Sequence, residues 1–573
     1  MLEYSRIIES LRKIYGESAA QAALEKVQPV IEKFSAEQPA RKAGTAKGYF
    51  SERDEVLITY GDSLCSQGEP PLQSLYRFAA EQLQELFSAI HILPFFPFSS
   101  DDGFSVIDYL EVNPELGDWQ DVERLGGRFE LMFDLVLNHI SARSGWFEDY
   151  LAGRPGFAGL AIEVDPATDL SLVTRPRALP LLTEFKKATG RSVHLWTTFS
   201  TDQVDLNFAN PDVMARMVEV LLFYVGKGAK IIRMDAIAYL WKEIGTSCIH
   251  LPQTHEMVRL FRAVLDQVAP EVIIITETNV PHKENVSYFG HGGNEAQMVY
   301  NFTLPPLLLY TFINGDASLL TDWAENHLSL ENPDTTFFNF TASHDGIGVR
   351  PLEGILSRAE IGKLAELAAS RGGEVSYKRN PDGSESPYEL NVTYVDAMKP
   401  EGSAGYDSMH ARRLIASQAI QHVLPGVPAV YVHSLLGSAN WTEGVKLTGR
   451  ARSINREKLN LDNVLTELQA PRSFRSEVFN SYKRLICIRR EQKALHPNAG
   501  FRLLRSGLPQ VFALAREGFG QTLFSLTNVS SRSVEVSLKA LGIPVGVQDI
   551  FTGKMIAENG LVLDPYRTAW LSE

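Results

Sequence analysis

The sequence has few cysteines and no long hydrophobic run. Three of its 573 residues are cysteine, and they are too widely spaced for a zinc motif of close ligands. Cys65, Cys248 and Cys487 are therefore expected to be thiols rather than parts of a disulfide framework. The longest apolar run, 304–312, is far shorter than the roughly 20 residues that a membrane-spanning helix needs.

Signals for export, nucleic acid and nucleotides are also missing. Residues 1–16 mix charged with apolar residues and lack the continuous apolar core of a secretory leader, which predicts a cytoplasmic protein. The net charge is −14 without a compensating Lys/Arg stripe, which disfavours binding to nucleic acid or to an anionic membrane. No phosphate-cradling loop or dinucleotide fingerprint occurs, which argues against nucleotide-dependent glucosyl transfer. We expect a small-molecule partner.

The chain is long and apolar enough for a large core and more than one domain, with 44% hydrophobic residues. Helical spacing of apolar residues predicts a helical N-terminal extension over 1–50. From residue 51 to 496, short β-rich runs alternate with longer amphipathic stretches, as in repeated βα units. Alternating apolar and polar residues predict an antiparallel β domain over 497–573.

Eight β-rich runs predict an α/β fold built on a (β/α)8 TIM barrel. They cover 56–60, 89–94, 131–138, 230–235, 272–277, 298–302, 335–340 and 428–432. The widest gaps follow the third and seventh runs and predict inserted subdomains at about 139–205 and 350–405. Their Pro, Gly and polar residues are typical of loops, which would roof the barrel mouth and carry specificity.

Several predicted strands end in polar residues, and barrel enzymes catalyse at the carboxyl ends of their strands. Any one such Asp or His is more often a helix cap or a core hydrogen-bonding residue. Asp235 and Glu277 together are the pair that glycoside cleavage needs, an ionised carboxylate and a protonated acid. Arg233 shares a strand face with Asp235 and would keep it ionised, whereas the apolar run before Glu277 would raise its pKa.

In their order along the chain, these strand ends resemble the four signature regions of the α-amylase clan. The matching residues are Asn138-His139, Arg233-x-Asp235, Glu277 and His344-Asp345. The resemblance, which covers the chain from about residue 56 onward, implies that Asp235 is the nucleophile, Glu277 the acid/base and Asp345 the transition-state stabiliser. It also implies a glucose site formed by Asp101, Phe104, His139, Phe199, Gln203, Arg233, His344 and Arg452.

Within that clan, the chain is similar to the sucrose phosphorylase group, for example at His344-Asp345-Gly346-Ile347-Gly348. The resemblance implies that phosphate, rather than water, attacks a glucosyl-enzyme and releases α-glucose 1-phosphate. Arg177 and Tyr388 match the phosphate-site residues of that group, and Arg175 is a further candidate. An Arg in such a segment, taken alone, is more often a solvated loop charge.

The acceptor side departs from the sucrose pattern, because Asn279 and Glu389 stand where sucrose phosphorylases carry His and Gln. These positions look most like the branch that acts on glucosylglycerate. An anionic glycerate beside Glu277 and Glu389 would require a cation. The available candidates are Arg175, Arg177, Lys378 and Arg379.

The resulting hypothesis is a retaining phosphorylase of 2-O-(α-D-glucosyl)-D-glycerate. Sucrose phosphorylase and glucosylglycerol phosphorylase are the near alternatives, and an α-glucosidase or transglucosidase is a more distant one. A non-catalytic barrel is disfavoured by the intact Asp235, Glu277 and Asp345. The chemistry requires no cofactor and no metal, although some clan members bind calcium near the residue that matches Asn138.

Overall fold

Eight parallel strands close into a barrel in the computed structural model, which describes residues 3–38, 48–177, 179–380, 384–403 and 405–572. In chain order the barrel strands are β1 (Val56–Thr59), β2 (Ala89–Ile92), β3 (Glu130–Val136), β4 (Ala229–Asp235), β5 (Ile273–Thr276), β6 (Met298–Tyr300), β7 (Thr336–Asn339) and β8 (Val427–Tyr431). Each strand pairs with the next, and β8 returns to β1. All eight predicted runs overlap these strands, so the predicted (β/α)8 fold is confirmed.

Helices cover the outside of the barrel. The main ones span Pro71–Phe78, Trp119–Gly126, Pro211–Gly226, Pro252–Val268, Leu304–Asn314, Ser318–His327, Ser408–Val423 and Phe474–Arg490. The helix before β4 starts at Pro211, where proline's fixed φ suits the first helical position, and Asn210 caps its first turn. Helices cover the outer face of each strand and side chains fill the inside of the barrel. Both faces of each strand are therefore buried, which explains why the strands are nearly continuous apolar runs in the sequence.

The N-terminal segment forms two helices, α1 (Ser5–Tyr15) and α2 (Glu17–Glu37), which pack against the barrel helices Pro252–Val268 and Pro211–Gly226. The Tyr15 hydroxyl donates to Phe208 O at 2.9 Å. The predicted helices are therefore present, but residues 39–47 of the predicted extension lie outside the described residues. Among the residues that the structure describes, every helix is too short or too polar to span a bilayer.

Both insertions contain regular structure, which their composition did not indicate. The first contains the strands His139–Ser141, Leu182–Lys186, Ser192–Trp196 and Gln203–Asp205 and the helix Gly145–Leu151. The second contains the helix Arg358–Ser370 and the strands Glu374–Arg379 and Glu385–Asn391. Glu385–Asn391 is the central strand of a three-stranded sheet and pairs with Glu374–Arg379 on one side and with Ile347–Gly348 on the other. Antiparallel pairing satisfies backbone groups that would otherwise need water in such long insertions. None of these strands joins the barrel.

The C-terminal part is an antiparallel β structure, as predicted. Its six-stranded sheet consists, in spatial order, of Gly500–Leu503, Val511–Gly518, Gln521–Asn528, Thr568–Ser572, Val547–Asp549 and Lys554–Ile556. The strands Val534–Ser537 and Gly560–Leu563 form a separate pair. The buried Arg516 donates to Val423 O at 2.7 Å and so ties this sheet to a barrel helix. The domain boundaries near residues 50 and 496 stay predictions.

A buried lysine joins the first insertion to the barrel. The ammonium of Lys242 lies 2.6 Å from Asp205 Oδ2 and donates to Asn138 Oδ1 at 2.6 Å, and its side chain is only 3% exposed. Asp205 also accepts hydrogen bonds from the backbone and the hydroxyl of Thr198. A carboxylate buried this deeply requires a nearby positive charge. Lys242 therefore holds the base of the first insertion against the end of β3.

We predict that Lys242→Met destabilises the protein by about 3 to 5 kcal/mol, because it leaves the charge of Asp205 buried without its cation. Urea unfolding measures this loss. Lys446→Met is the matched control, since Lys446 is 74% exposed and its pair with Glu443 spans 3.6 Å. The control should unfold like the unmodified protein, and equal losses in the two variants would contradict the role given to Lys242.

Candidate active site

The two central carboxylates lie at the ends of neighbouring strands. Strands β4 and β5 pair in parallel with Thr276 aligned to Met234, so Asp235 and Glu277 follow side by side at the barrel mouth. The backbone N–H of Glu277 donates to Met234 O at 3.1 Å. Glu277 Oε2 accepts from the backbone N–H of Ala236 at 3.1 Å. The Glu277 carboxyl therefore lies directly beside the residue after Asp235.

Arg233 holds two carboxylates at once. Its Nη1 donates to Asp134 Oδ1 at 2.5 Å and to Asp235 Oδ1 at 2.6 Å. Asp134 Oδ2 in turn lies 2.7 Å from His91 Nε2. All of these groups are buried, so the guanidinium both neutralises and orients the Asp235 carboxylate.

Burial dominates the acidity of both central carboxyl groups. It raises the pKa of Asp235 above its ordinary value, against the opposing charges of Arg233 and His139. The sequence pattern predicts that the charge of Arg233 prevails and keeps this pKa low, but the loss of water on burial outweighs that charge. Burial also raises the pKa of Glu277 to about 7, against the pull of Arg233 and with the added charges of Asp235 and Asp345. Because Asp235 accepts a bond from a guanidinium and Glu277 from a neutral N–H, Asp235 ionises first.

The third carboxylate, Asp345, lies in the segment after β7. Its Oδ1 is 2.6 Å from Arg452 Nη1 and 3.5 Å from His344 Nε2. The His344 ring stacks on Phe104, with ring centroids 4.7 Å apart and planes 8° apart. Asn455 donates to Asp345 O at 3.1 Å and holds the backbone of this segment in place.

A second set of groups, from the segments after β2 and β3 and from the first insertion, lines another side of the pocket. Nε2 of His139 lies 2.8 Å from Phe104 O, and Nε2 of Gln203 donates to the same oxygen at 3.2 Å. The ring of Phe199 lies 5.2 Å from that of His139. Burial lowers the pKa of His139, so this imidazole is neutral near pH 7.

Asp101 adds an ionised carboxylate to that side. Burial would raise its pKa, but the charges of Arg177, Arg456 and Arg452 outweigh burial and lower it to about 2. Its backbone has a φ of 55°, which is unusual for a residue with a side chain. Ala236, directly after Asp235, has a φ of 50°. Such left-handed residues cost free energy and cluster at functional sites.

The structure brings all predicted site residues except Arg175 into one central pocket at the barrel mouth. They are Asp235, Glu277 and Asp345; Asp101, Phe104, His139, Phe199, Gln203, Arg233, His344 and Arg452; and Arg177, Tyr388, Asn279 and Glu389. Arg175 is exposed, donates to Leu179 O and lines a neighbouring cavity instead. Among the described residues, no group of three or more His, Cys, Asp or Glu side chains is arranged to hold a metal ion.

Comparison with known proteins identifies the family. The alpha-amylase catalytic domain family matches residues 81–346. A glucosylglycerate phosphorylase of Escherichia coli (strain K12) is 44% identical over 566 residues, which cover 99% of this chain and 99% of that protein. The chain belongs to the glycoside phosphorylases of the α-amylase family. The resemblance inferred from the signature regions is therefore confirmed.

Two further relatives of this phosphorylase agree with that family. A glucosylglycerate phosphorylase of Spirochaeta thermophila is 49% identical, over 92% of this chain and 89% of that protein. The crystal structure of sucrose 6F-phosphate phosphorylase from Thermoanaerobacter thermosaccharolyticum superposes with a TM-score of 0.74. That protein is 27% identical, and the match covers 87% of this chain and 97% of that one.

Glu389 is paired in this phosphorylase, contrary to the concern that it would repel an anion. Arg452 Nε and Nη2 donate to its two oxygens at 2.9 and 2.7 Å. The backbone N–H of Gly346 donates to Glu389 Oε1 at 2.7 Å. Gly346 allows this approach, since a Cβ there would lie 2.6 Å from Leu390 O. Arg452 therefore links the second insertion to Asp345.

Two arginines at the phosphorylase site were missed by the sequence analysis. Arg456 is buried, and its Nη1 donates to Asp102 Oδ2 at 2.6 Å and lies 3.8 Å from Asp101 Oδ1. Arg350 follows β7 and reaches the hydroxyl of Tyr239 as a hydrogen-bond donor. No local periodicity indicated Arg456, which follows the 3₁₀ turn Ala451–Asn455 that contains Arg452. No sequence signal singled out Arg350.

Proposed function

We propose that this phosphorylase converts 2-O-(α-D-glucosyl)-D-glycerate and phosphate into α-D-glucose 1-phosphate and D-glycerate through a covalent glucosyl-enzyme. The pairing of Asp235 with the more weakly acidic Glu277 at adjoining strand ends carries the proposal. The glucosylglycerate phosphorylases that match nearly the whole chain support the choice of substrate. The phosphate requirement suits the cytoplasm, as does the presence of three free thiols.

The first half of the reaction transfers glucose to the protein. Asp235 attacks the anomeric carbon while Glu277 protonates the glycerate oxygen that leaves. A double displacement needs the two carboxyl groups about 5 to 5.5 Å apart, a spacing that neighbouring strand ends can provide. Asp345 stabilises the positive charge that develops on the sugar ring. His139 and His344 stay neutral, since burial lowers the pKa of both, and therefore do not oppose that charge.

The second half returns the glucosyl group to phosphate. Glu277, now ionised, accepts a proton from the attacking phosphate, whose oxygen displaces Asp235 from the anomeric carbon. Two inversions at that carbon retain the α configuration. Arg177 and Tyr388 line the pocket where this dianion enters and support its approach.

A second candidate substrate is a glucoside with a phosphorylated acceptor. The cavity next to the pocket is lined by Arg175, Arg177, Arg350 and Lys378, which would attract any anionic acceptor. The likeness to a solved sucrose 6F-phosphate phosphorylase favours including this substrate in the test. Phosphorolysis assays with glucosylglycerate, glucosylglycerol, sucrose and sucrose 6F-phosphate, each with and without phosphate, decide among the candidates.

The protonation of Glu277 predicts a pH profile. Because the acid must be protonated and its pKa is raised to about 7, kcat/KM for the glucoside should be retained below pH 7 and lost as the pH rises through it. Glu277→Gln should retain turnover of α-glucosyl fluoride, whose leaving group needs little protonation, and should lose this alkaline limb. Asp235→Ala should abolish turnover of both donors. An unchanged alkaline limb in Glu277→Gln would remove Glu277 from the acid role.

Arg177 should act on the phosphate step. Arg177→Ala is expected to raise the KM for phosphate strongly while glucosyl-enzyme still forms from α-glucosyl fluoride, since the cation meets the incoming dianion. Tyr388→Phe should have a smaller effect, because a neutral hydrogen bond is worth roughly half of a charge-assisted one. Steady-state kinetics over a range of phosphate concentrations measures both. A phosphate dependence equal to that of the unmodified protein would exclude Arg177 from this role.

The acceptor assignment predicts a preference for a charged substrate. Glucosylglycerate should exceed glucosylglycerol by at least about tenfold in kcat/KM, or roughly 1.4 kcal/mol of transition-state free energy. The basic lining of the neighbouring cavity accounts for the expected direction. Equal phosphorolysis of glucosylglycerol or sucrose would reject the acceptor assignment and leave the glucose site intact. The side chain of Arg379, a further predicted cation, lies outside what the structure describes.

A further inference from the structure

A cationic cavity adjoins the central pocket where the two insertions meet. The described residues that line this outer cavity include Arg175, Arg177, Arg350 and Lys378 and no carboxylate. Tyr388 lines both the outer cavity and the central pocket, so the two are adjacent. A wall of four cations in a chain of net charge −14 indicates a place for anions.

The four cations are not equally available to a ligand. Lys378 lies 2.5 Å from Glu353 and is neutralised by it. Arg175 is exposed and donates to the backbone oxygen of Leu179. Arg177 lies 3.6 Å from Asp101, on the glucose side of the pocket. Among the described residues, Arg350 interacts with the neutral hydroxyl of Tyr239 rather than with a carboxylate, which leaves the charge of Arg350 for a ligand.

The fold places Arg350 near the bond that breaks. Gly348, two residues before Arg350, lines the central pocket together with Glu277, and Tyr388 lines both that pocket and the outer cavity that holds Arg350. The carboxylate of glycerate is attached to the same carbon as the oxygen that Glu277 protonates. A cation that binds this carboxylate must therefore lie close to Glu277, and Arg350 meets that requirement better than the exposed Arg175.

A neighbouring polar group is also free to bind the acceptor. Asn279 lines the central pocket, and its Oδ1 is buried without a hydrogen-bond partner. The Asn279 side chain packs on Gly348, since a Cβ at Gly348 would lie 2.6 Å from Asn279 Nδ2. Gly348 is two residues before Arg350 in the chain. A buried polar atom left without a partner is costly, and a ligand hydroxyl would satisfy it.

We propose that Arg350 binds the carboxylate of the acceptor, with Asn279 binding an acceptor hydroxyl beside it. The inference rests on the proposed function and names the residue that selects the acceptor. Arg350 presents a planar fork that matches a carboxylate bidentately. Phosphate binds to Arg177 and Tyr388. The two anions of the reaction, glycerate and phosphate, therefore bind to different arginines.

Synthesis from α-glucose 1-phosphate tests this assignment, with D-glycerate and glycerol as competing acceptors. Arg350→Gln should lower kcat/KM for D-glycerate by about 10-fold to 100-fold, as expected for a lost hydrogen bond to a charged group. Its use of glycerol should change by less than about twofold, because glycerol has no charge for Arg350 to bind. Arg350→Lys should recover part of the loss, since it keeps the charge and loses the fork.

Lys363→Gln is the matched control, because Lys363 is an exposed cation of the same insertion, on the helix Arg358–Ser370, and lines neither the central pocket nor the outer cavity. It should leave the ratio of glycerate to glycerol use unchanged. In Arg350→Gln, turnover of α-glucosyl fluoride with phosphate should also be unchanged, which would show that the glucose and phosphate sites are intact.

Two outcomes would overturn the assignment of Arg350. Equal losses with glycerate and glycerol would show a structural role, and an unchanged preference for glycerate would place the carboxylate on another residue. Failure of the proposed function is seen separately, in the unmodified protein. A protein that neither phosphorolyses glucosylglycerate nor glucosylates glycerate would reject the function and the assignment together.

Discussion

The site depends on the bond between Arg233 and the carboxylates on either side of it. Three carboxyl groups lie at one end of the barrel, where Asp134 and Asp235 are buried and Glu277 is half-buried. Without a buried cation they would repel one another and retain their protons. Arg233 contacts Asp134 and Asp235, and this unequal contact leaves Glu277 as the carboxyl group that holds its proton longest. The proposed division of labour between Asp235 as nucleophile and Glu277 as acid thus follows from the position of one guanidinium.

The same balance of charge extends outward to the insertions. Arg452 joins Asp345 to Glu389, and Arg456 joins Asp102 to the carbonyl of His344. Each arginine links a barrel segment to a separate part of the chain. The positions of the carboxylates at the barrel mouth are therefore coupled to the folding of the insertions, to which we assign acceptor selection. A change in either insertion can alter catalysis without touching glucose.

The sequence was informative where local pattern determines structure. Buried parallel strands consist of short apolar runs that are visible in the sequence. The barrel and the neighbouring positions of Asp235 and Glu277 could therefore be predicted. The bidentate pair of Arg452 with Glu389 joins residues 63 positions apart, and no local periodicity encodes such a contact. The acidity of Asp235 was misjudged because sequence shows the neighbouring Arg233 but not the depth of burial. Arg350 was missed because its importance arises from the meeting of two insertions.

The ammonium of Lys242 lies between Asn138 and Asp205, and it affects how well the fold tolerates phosphate, a substrate of the protein. A phosphorylase works in phosphate-rich surroundings, and phosphate competes with proteins for divalent ions. A positive charge that is covalently part of the chain cannot be extracted by phosphate or by a chelator. The attachment of the first insertion to the barrel through Lys242 therefore does not depend on the concentration of phosphate, the anion that we propose the insertion helps to bind.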